Sequence, residues 1–360
     1  MGLLDNFRKK KDSAEQAGLD QLENAAIDPI MEEFLEKPPY EAANDQLTPS
    51  GLYPHEIVIL DHAGSLFTDQ EDFPAFWRTQ LGILSLLQIL SSLIDRGFLT
   101  ETSIDATLLD ATVQTLKDAL KKSGLPVGGK KAELVERLRT SLSEATLYDL
   151  FPRRTFSPTW DGIRALDEAM YIPYVQKHPV DGLTIWDIHR QVVTSPEKSY
   201  RDLIWEHLER RSATLLQAKD FKAYRNVRYR MYQFYMEENK LKRAFPFLAE
   251  CMFYDLSGAE SLEDPLHRFV SEKYFFPYDK SLVKLSAGNI KAMGKLQADL
   301  GLSEEMLKAL LMQFFSQLKV PAHLFTVEEC AVIILLELRA DTPRLRLVYE
   351  MAEKRFGEQH

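Results

Sequence analysis

With 360 residues, 45% of them apolar, the chain is long enough for two or three domains with buried cores, which argues against wholesale disorder. A formal net charge of -10 excludes a protein that coats nucleic acid with its whole surface, but it leaves room for a small basic module on an acidic body. Two cysteines, Cys251 and Cys330, are too few for a disulfide framework and fit a reducing cytoplasm.

The opening MGLLDNFRKKK places its basic residues after its apolar ones, the reverse of a secretory signal, and Asn6 stands where a myristoylation site wants Ser or Thr. Residues 12–48 hold ten acidic side chains against one basic, Lys37, and include Pro29, Pro38 and Pro39. Residues 1–50 are therefore expected as an acidic, partly disordered segment mixing short helices with linker. Such an arm can fold back on a basic patch elsewhere in the chain, or stand as a solvated leader.

A helical subdomain is expected over 51–106. EIVIL (56–60) is short enough for a strand, but the apolar spacing around it favours helix. The longest apolar run, LGILSLLQILSSLI (81–94), has 14 residues and is interrupted by Gln88 and serines. A membrane span needs about 20, so this is a core helix and no membrane partner is expected. The helix ends at Gly97 and is followed by an extended FLT. That shape recurs in winged-helix modules and in any helix with a glycine C-cap.

Residues 107–143 are expected as a separate module. Within them GLPVGGKK (124–131) has the G-x-x-x-x-G-K skeleton of a P-loop, but Lys131 stands where Ser or Thr must hold the magnesium ion. A P-loop also needs a strand before the first glycine. Here the preceding VQTLKDALKKS carries Val113, Leu116 and Leu120 at helical spacing with charges between them, an amphipathic helix. What remains is helix, tight turn, helix: Gly124 as C-cap, Pro126 preventing continuation, and a second helix from near Gly129 with Leu134, Val135 and Leu138 as its apolar stripe. Val113, Leu116, Leu120, Leu125, Leu134 and Leu138 are the expected core.

Charge singles this module out. Residues 113–142 carry a net +4, against -14 for the rest of the chain. A basic patch on an acidic body is the electrostatic footprint of local nucleic-acid binding. Backbone N–H groups at the start of the second helix favour an anion, Gly128 and Gly129 permit close backbone approach, and Lys130 and Lys131 flank the spot.

The run VQTLKDALKKSGLPVGGKKAELVERL resembles the SAP motif, a helix–extended turn–helix unit associated with DNA binding. Val113, Leu116, Lys117, Leu120, Gly124, Leu125, Pro126, Gly129, Lys131, Leu134, Arg137 and Leu138 fall on its pattern. Ala111 departs from it, where a larger aliphatic residue is common. The resemblance covers about 30 of 360 residues. It implies DNA contacts, often with a preference for A·T-rich sequence or shape, from Lys121, Lys122, Gly129, Lys130, Lys131 and Arg137.

A helical domain is expected over 150–360, with candidate helices at 183–193, 197–216, 219–238, 240–255, 288–299, 303–317 and 326–339. Thr326 with Glu329 makes a capping box. Residues 222–258 read as an antiparallel helix pair turning near Glu238–Asn239, without the 34-residue period of a repeat array. A second basic cluster puts Lys222, Arg225 and Arg228 one turn apart on a single helical face. That face can track a nucleic-acid backbone, or be a solvated face paired with carboxylates.

Signals for catalysis are sparse. No H-E-x-x-H or paired-cysteine metal pattern occurs, and Asp61–His62 with Ser65 lacks the strand–turn–helix setting of a nucleophile elbow. No catalytic residue, metal site or cofactor is expected. The chain thus reads as an all-α, non-enzymatic, cytoplasmic protein that tethers a helical interaction domain, with an unidentified protein partner, to double-stranded DNA. The alternative is a protein–protein scaffold whose SAP-like unit is a packing element. An enzyme acting on DNA is a third possibility.

Overall fold

A computed structural model describes residues 46–68, 70, 73–259, 274–318 and 323–359. All but the last five residues of the expected acidic segment lie outside them. The chain divides into two compact units, residues 1–179 with 184–198, and residues 180–183 with 199–360. Among the described residues, seventeen α-helices accompany one two-stranded ribbon, so the class is all-α.

The first unit runs α1 (Pro54–His62), α2 (Ala75–Leu81), α3 (Leu86–Asp95), β1 (Leu99–Glu101), α4 (Ile104–Asp110), α5 (Val113–Lys122), α6 (Lys131–Ser141), α7 (Glu144–Leu150), β2 (Phe156–Pro158), α8 (Trp160–Glu168), α9 (Tyr171–Lys177) and α10 (Ile185–Thr194). EIVIL is helical. Pro54 at the first helical position needs no N–H partner, and the Tyr53 N–H donates to the Glu56 carboxylate at 2.8 Å. Ile57, Val58, Ile59 and Leu60 are all buried, as befits a helix apolar all round, and α3, α8, α9 and α10 pack about it. Glu56 is buried too, and Arg96 at 2.7 Å supplies its counter-charge.

The extended FLT after Gly97 becomes β1. It pairs antiparallel with β2, Leu99 opposite Pro158 and Glu101 opposite Phe156, across all of α4–α7. The Thr102 N–H donates to the Thr155 carbonyl at 2.9 Å, and their hydroxyls lie 3.0 Å apart. Residues 104–151 are thus an insertion held at both ends by one ribbon.

That insertion has its own core. Ile104 and Leu108 of α4, Leu116, Ala119 and Leu120 of α5, Leu134, Val135 and Leu138 of α6, and Leu147 with Phe151 form one buried cluster. The expected two-helix module is therefore a four-helix unit. Val113, placed in the core by periodicity, is 41% exposed, and Leu125 only packs against the cluster. Leu108, fully buried, shares this cluster with Leu116 and Leu120 of the first helix, and Ala111 packs against it.

The second unit contains α11 (Tyr200–Gln217), α12 (Phe221–Glu237), α13 (Leu241–Ser257), α14 (Ala287–Asp299), α15 (Glu304–Phe315), α16 (Val327–Leu338) and α17 (Thr342–Gln359). The α12–α13 pair turns at Asn239, whose φ of 55° lies in the left-handed region that asparagine tolerates. Leu248 and Met252 of α13, Met293 of α14, Leu311 of α15, Ile334 of α16 and Tyr349 of α17 meet in one apolar core. The Thr326 capping box forms: its N–H donates to Glu329 at 2.8 Å, and the Glu329 N–H returns to the hydroxyl at 3.2 Å.

The division falls near residue 199, not near 150. Helices α8, α9 and α10 belong with the first unit because they cover the apolar faces of α1, a pairing across about 100 residues of sequence that no local pattern displays.

Candidate nucleic-acid interface

Helix α5 starts at Thr112, whose hydroxyl accepts the Thr115 N–H at 3.1 Å. It ends in a Schellman turn: Leu125 N–H reaches the Leu120 carbonyl at 2.8 Å and Gly124 N–H the Lys121 carbonyl at 3.1 Å. Gly124 has φ of 70°, which is why a residue without Cβ closes the helix there. Lys121 and Lys122 lie in the last turn, where the helix dipole favours cations, and both are exposed.

The extended segment after Leu125 is held from behind. Arg137 Nη1 donates to the Pro126 carbonyl at 2.6 Å and to the Gly128 carbonyl at 2.9 Å. Arg137, expected among the DNA contacts, is thus engaged with the turn, because its position two turns into α6 aims the guanidinium at the loop's free carbonyls. It positions the turn.

Gly129 has φ of 124°, and a Cβ there would strike the Glu133 carboxylate. That carboxylate accepts the Lys130 N–H at 3.3 Å at the start of α6. The helix end expected to cradle a phosphate therefore already holds an acidic side chain in its first turn. The emphasis moves from the helix N–H groups to the lysines. Glu133 was visible in the sequence as an acidic residue at the third helical position, where capping boxes place one.

Lys130 and Lys131 are exposed like Lys121 and Lys122, and none of the four makes an ion pair among the described residues. Arg139, by contrast, reaches Asp105 of α4 at 2.7 Å. The turn is bracketed by two pairs of unneutralised ammonium groups on a scaffold fixed by its own core. Residues 112–143 match the SAP domain. The chain has no match among curated proteins. The SAP domain occupies under a tenth of the chain, and α4 and α7 extend it on both sides into the unit that the ribbon carries.

The second basic cluster does not present the face expected of it. Arg225 makes a two-pronged pair with Asp255 at 2.7 and 2.9 Å, and Arg228 pairs with the buried Glu250 at 2.6 Å. Both carboxylates come from α13, so the arginines hold the α12–α13 hairpin together, while Lys222 is exposed. Glu250 also accepts the Tyr224 hydroxyl at 2.6 Å, and burial pushes the Tyr224 phenol far up. The face looks basic in sequence because its counter-charges lie 22 to 30 residues away.

Asp61, His62 and Ser65 are not assembled for nucleophilic chemistry. Asp61 pairs with Lys177 at 2.8 Å, and the Ser65 hydroxyl donates to the His62 carbonyl at 2.8 Å. Cys251 and Cys330 are buried and free, and burial raises both thiols. Among the described residues no cluster of His, Cys, Asp or Glu is placed to hold a metal ion, and no helix is long and apolar enough to cross a membrane.

Proposed function

We propose that this is a non-enzymatic DNA-binding protein whose SAP domain contacts duplex phosphates and tethers the second, helical unit to DNA. The observation that carries the reading is the set of four exposed lysines, Lys121, Lys122, Lys130 and Lys131, around a glycine turn that Arg137 fixes from behind. Lysine contacts to phosphate position a protein without reading sequence, so little base specificity follows. Isolated patches of this size bind with Kd on the order of 10⁻⁴ to 10⁻⁶ M at physiological salt. The free, buried cysteines suit a cytoplasmic setting.

A salt titration of duplex binding tests the reading. Affinity should fall steeply with salt, and the double change Lys130→Glu with Lys131→Glu should abolish it. Low-salt affinity that survives this double change overturns the proposal.

A scaffold role has one observation in its favour. Trp160 opens α8 with 87% of its surface exposed, and Ile163, one turn on, is 44% exposed. A large aromatic left in water beside an aliphatic residue is the usual anchor of a protein contact. Trp160→Ala should leave DNA binding intact and remove capture of any protein partner that this face recruits.

A further inference from the structure

Residues 46–51, which follow the acidic segment in sequence, are held within the unit whose ribbon carries the SAP domain. His189 Nε2 donates to the Gln46 carbonyl at 3.0 Å, and the Ser50 hydroxyl donates to the Glu168 carboxylate. Arg96 Nη2 donates to the Gly51 carbonyl at 2.6 Å, and Arg96 stands three residues before β1. Gly51, five residues after Gln46, is thus tied to the residue that leads into the ribbon carrying the lysine-bearing turn.

Charge points the same way. Residues 12–45 carry ten carboxylates and one lysine, a net charge of -9, whereas residues 113–142 carry +4. The four lysines that flank the turn have no carboxylate partner among the described residues, whereas Arg96, Arg139 and Lys177 of the same unit each have one. We propose that residues 12–45 dock on the lysine face of the SAP domain and compete with DNA for it. The contact stands on charge and attachment point alone; its consequence for DNA rests on the function proposed above.

Reach permits it. A flexible chain of thirty-four residues has a root-mean-square span of about 30 Å. The inserted unit of residues 104–151 is about 25 Å across for its length. A segment tethered at that range presents its charges at an effective concentration on the order of millimolar. The contact is one of exposed charges, so it weakens as the screening length shrinks from about 8 Å at physiological salt to about 3 Å at 1 M.

The test uses the full chain in two arms. In the first, a 24-base-pair duplex is titrated against the wild type, a leader variant (E23Q, D28N, E32Q, E33Q) and a control variant with four exposed carboxylates of the second unit neutralised (D299N, E305Q, E350Q, E353Q). The leader variant should bind roughly three- to tenfold tighter than the control at low salt, and the gap should close at high salt. In the second arm, a zero-length carbodiimide crosslink read by mass spectrometry should join leader carboxylates to Lys121, Lys122, Lys130 or Lys131, and 1 M salt should suppress it. Equal affinities for leader and control variants overturn the competition, and absence of those crosslinks overturns the contact. If no variant binds DNA at low salt while the crosslinks form, the DNA-binding reading fails and the docking stands.

Discussion

The guanidinium of Arg137 lies 2.6 Å from the Pro126 carbonyl, tying the middle of α6 to the extended turn that precedes it. Proline has no N–H to donate, and the segment through Gly128 has no ladder partner, so its carbonyls would otherwise face only water. The bond converts an exposed loop into a fixed platform. Arg137→Lys keeps the charge but loses the planar fork. We expect it to lower stability by about 1 kcal/mol and to weaken DNA binding without changing the salt slope. Thermal unfolding and a salt titration on the same variant measure both.

The two glycines of the turn are not equivalent. A Cβ at Gly128 meets nothing within 4 Å, whereas at Gly129 it meets the Glu133 carboxylate on a backbone of φ 124°. Gly128→Ala should be near neutral. Gly129→Ala should cost about 1–3 kcal/mol from the strained backbone conformation alone. Paired denaturant melts of the two variants decide it, and equal costs would contradict the geometry.

Each exposed lysine that meets a phosphate contributes about 0.9 to the slope of log affinity against log salt. Lys121→Gln, Lys130→Gln and Lys131→Gln should each lower that slope by about one unit and weaken binding to all duplex sequences alike. Fluorescence anisotropy on two unrelated duplexes at several salt concentrations is the measurement.

Arg228 should behave in the opposite way. Its partner Glu250 is 3% exposed, so Arg228→Met leaves a buried carboxylate whose remaining hydrogen-bond partner among the described residues is the Tyr224 hydroxyl. Breaking such a pair costs about 3–5 kcal/mol, so a large drop in denaturation midpoint is expected with DNA affinity unchanged. A loss of affinity with stability preserved would restore this face as a nucleic-acid contact.

Histidine burial gives the second unit an acid limit. His323 donates from Nε2 to the Phe253 carbonyl at 3.0 Å and accepts the Phe325 N–H at Nδ1 at 3.2 Å, so its neutral form is satisfied and burial lowers its pKa to about 4. Between the ordinary value of 6.5 and about 4 the unfolded chain binds the proton and the folded chain does not. Stability therefore falls as pH drops through that window, by up to roughly 3 kcal/mol. Urea melts at pH 7 and pH 4.5 should show a larger loss for the wild type than for His323→Gln.

The sequence by itself determined whatever short-range physics writes into it. Helical periodicity placed α5, α6 and α11–α16 to within a few residues. Gly124 and Pro126 marked the turn, and Lys121, Lys122, Lys130 and Lys131 stood out as a local charge reversal because all fall within eleven residues. The tertiary structure decided what depends on partners remote in the chain. Leu108 and Leu147 complete a core that Val113 does not enter, and the FLT stretch finds its mate 57 residues on. Arg225 and Arg228 meet carboxylates of the next helix, because an ion pair forms by proximity in space while periodicity reports only a residue's own helix. Arg137 shows the same limit at close range. A positive charge on a SAP pattern looks outward until the fold supplies carbonyls behind it.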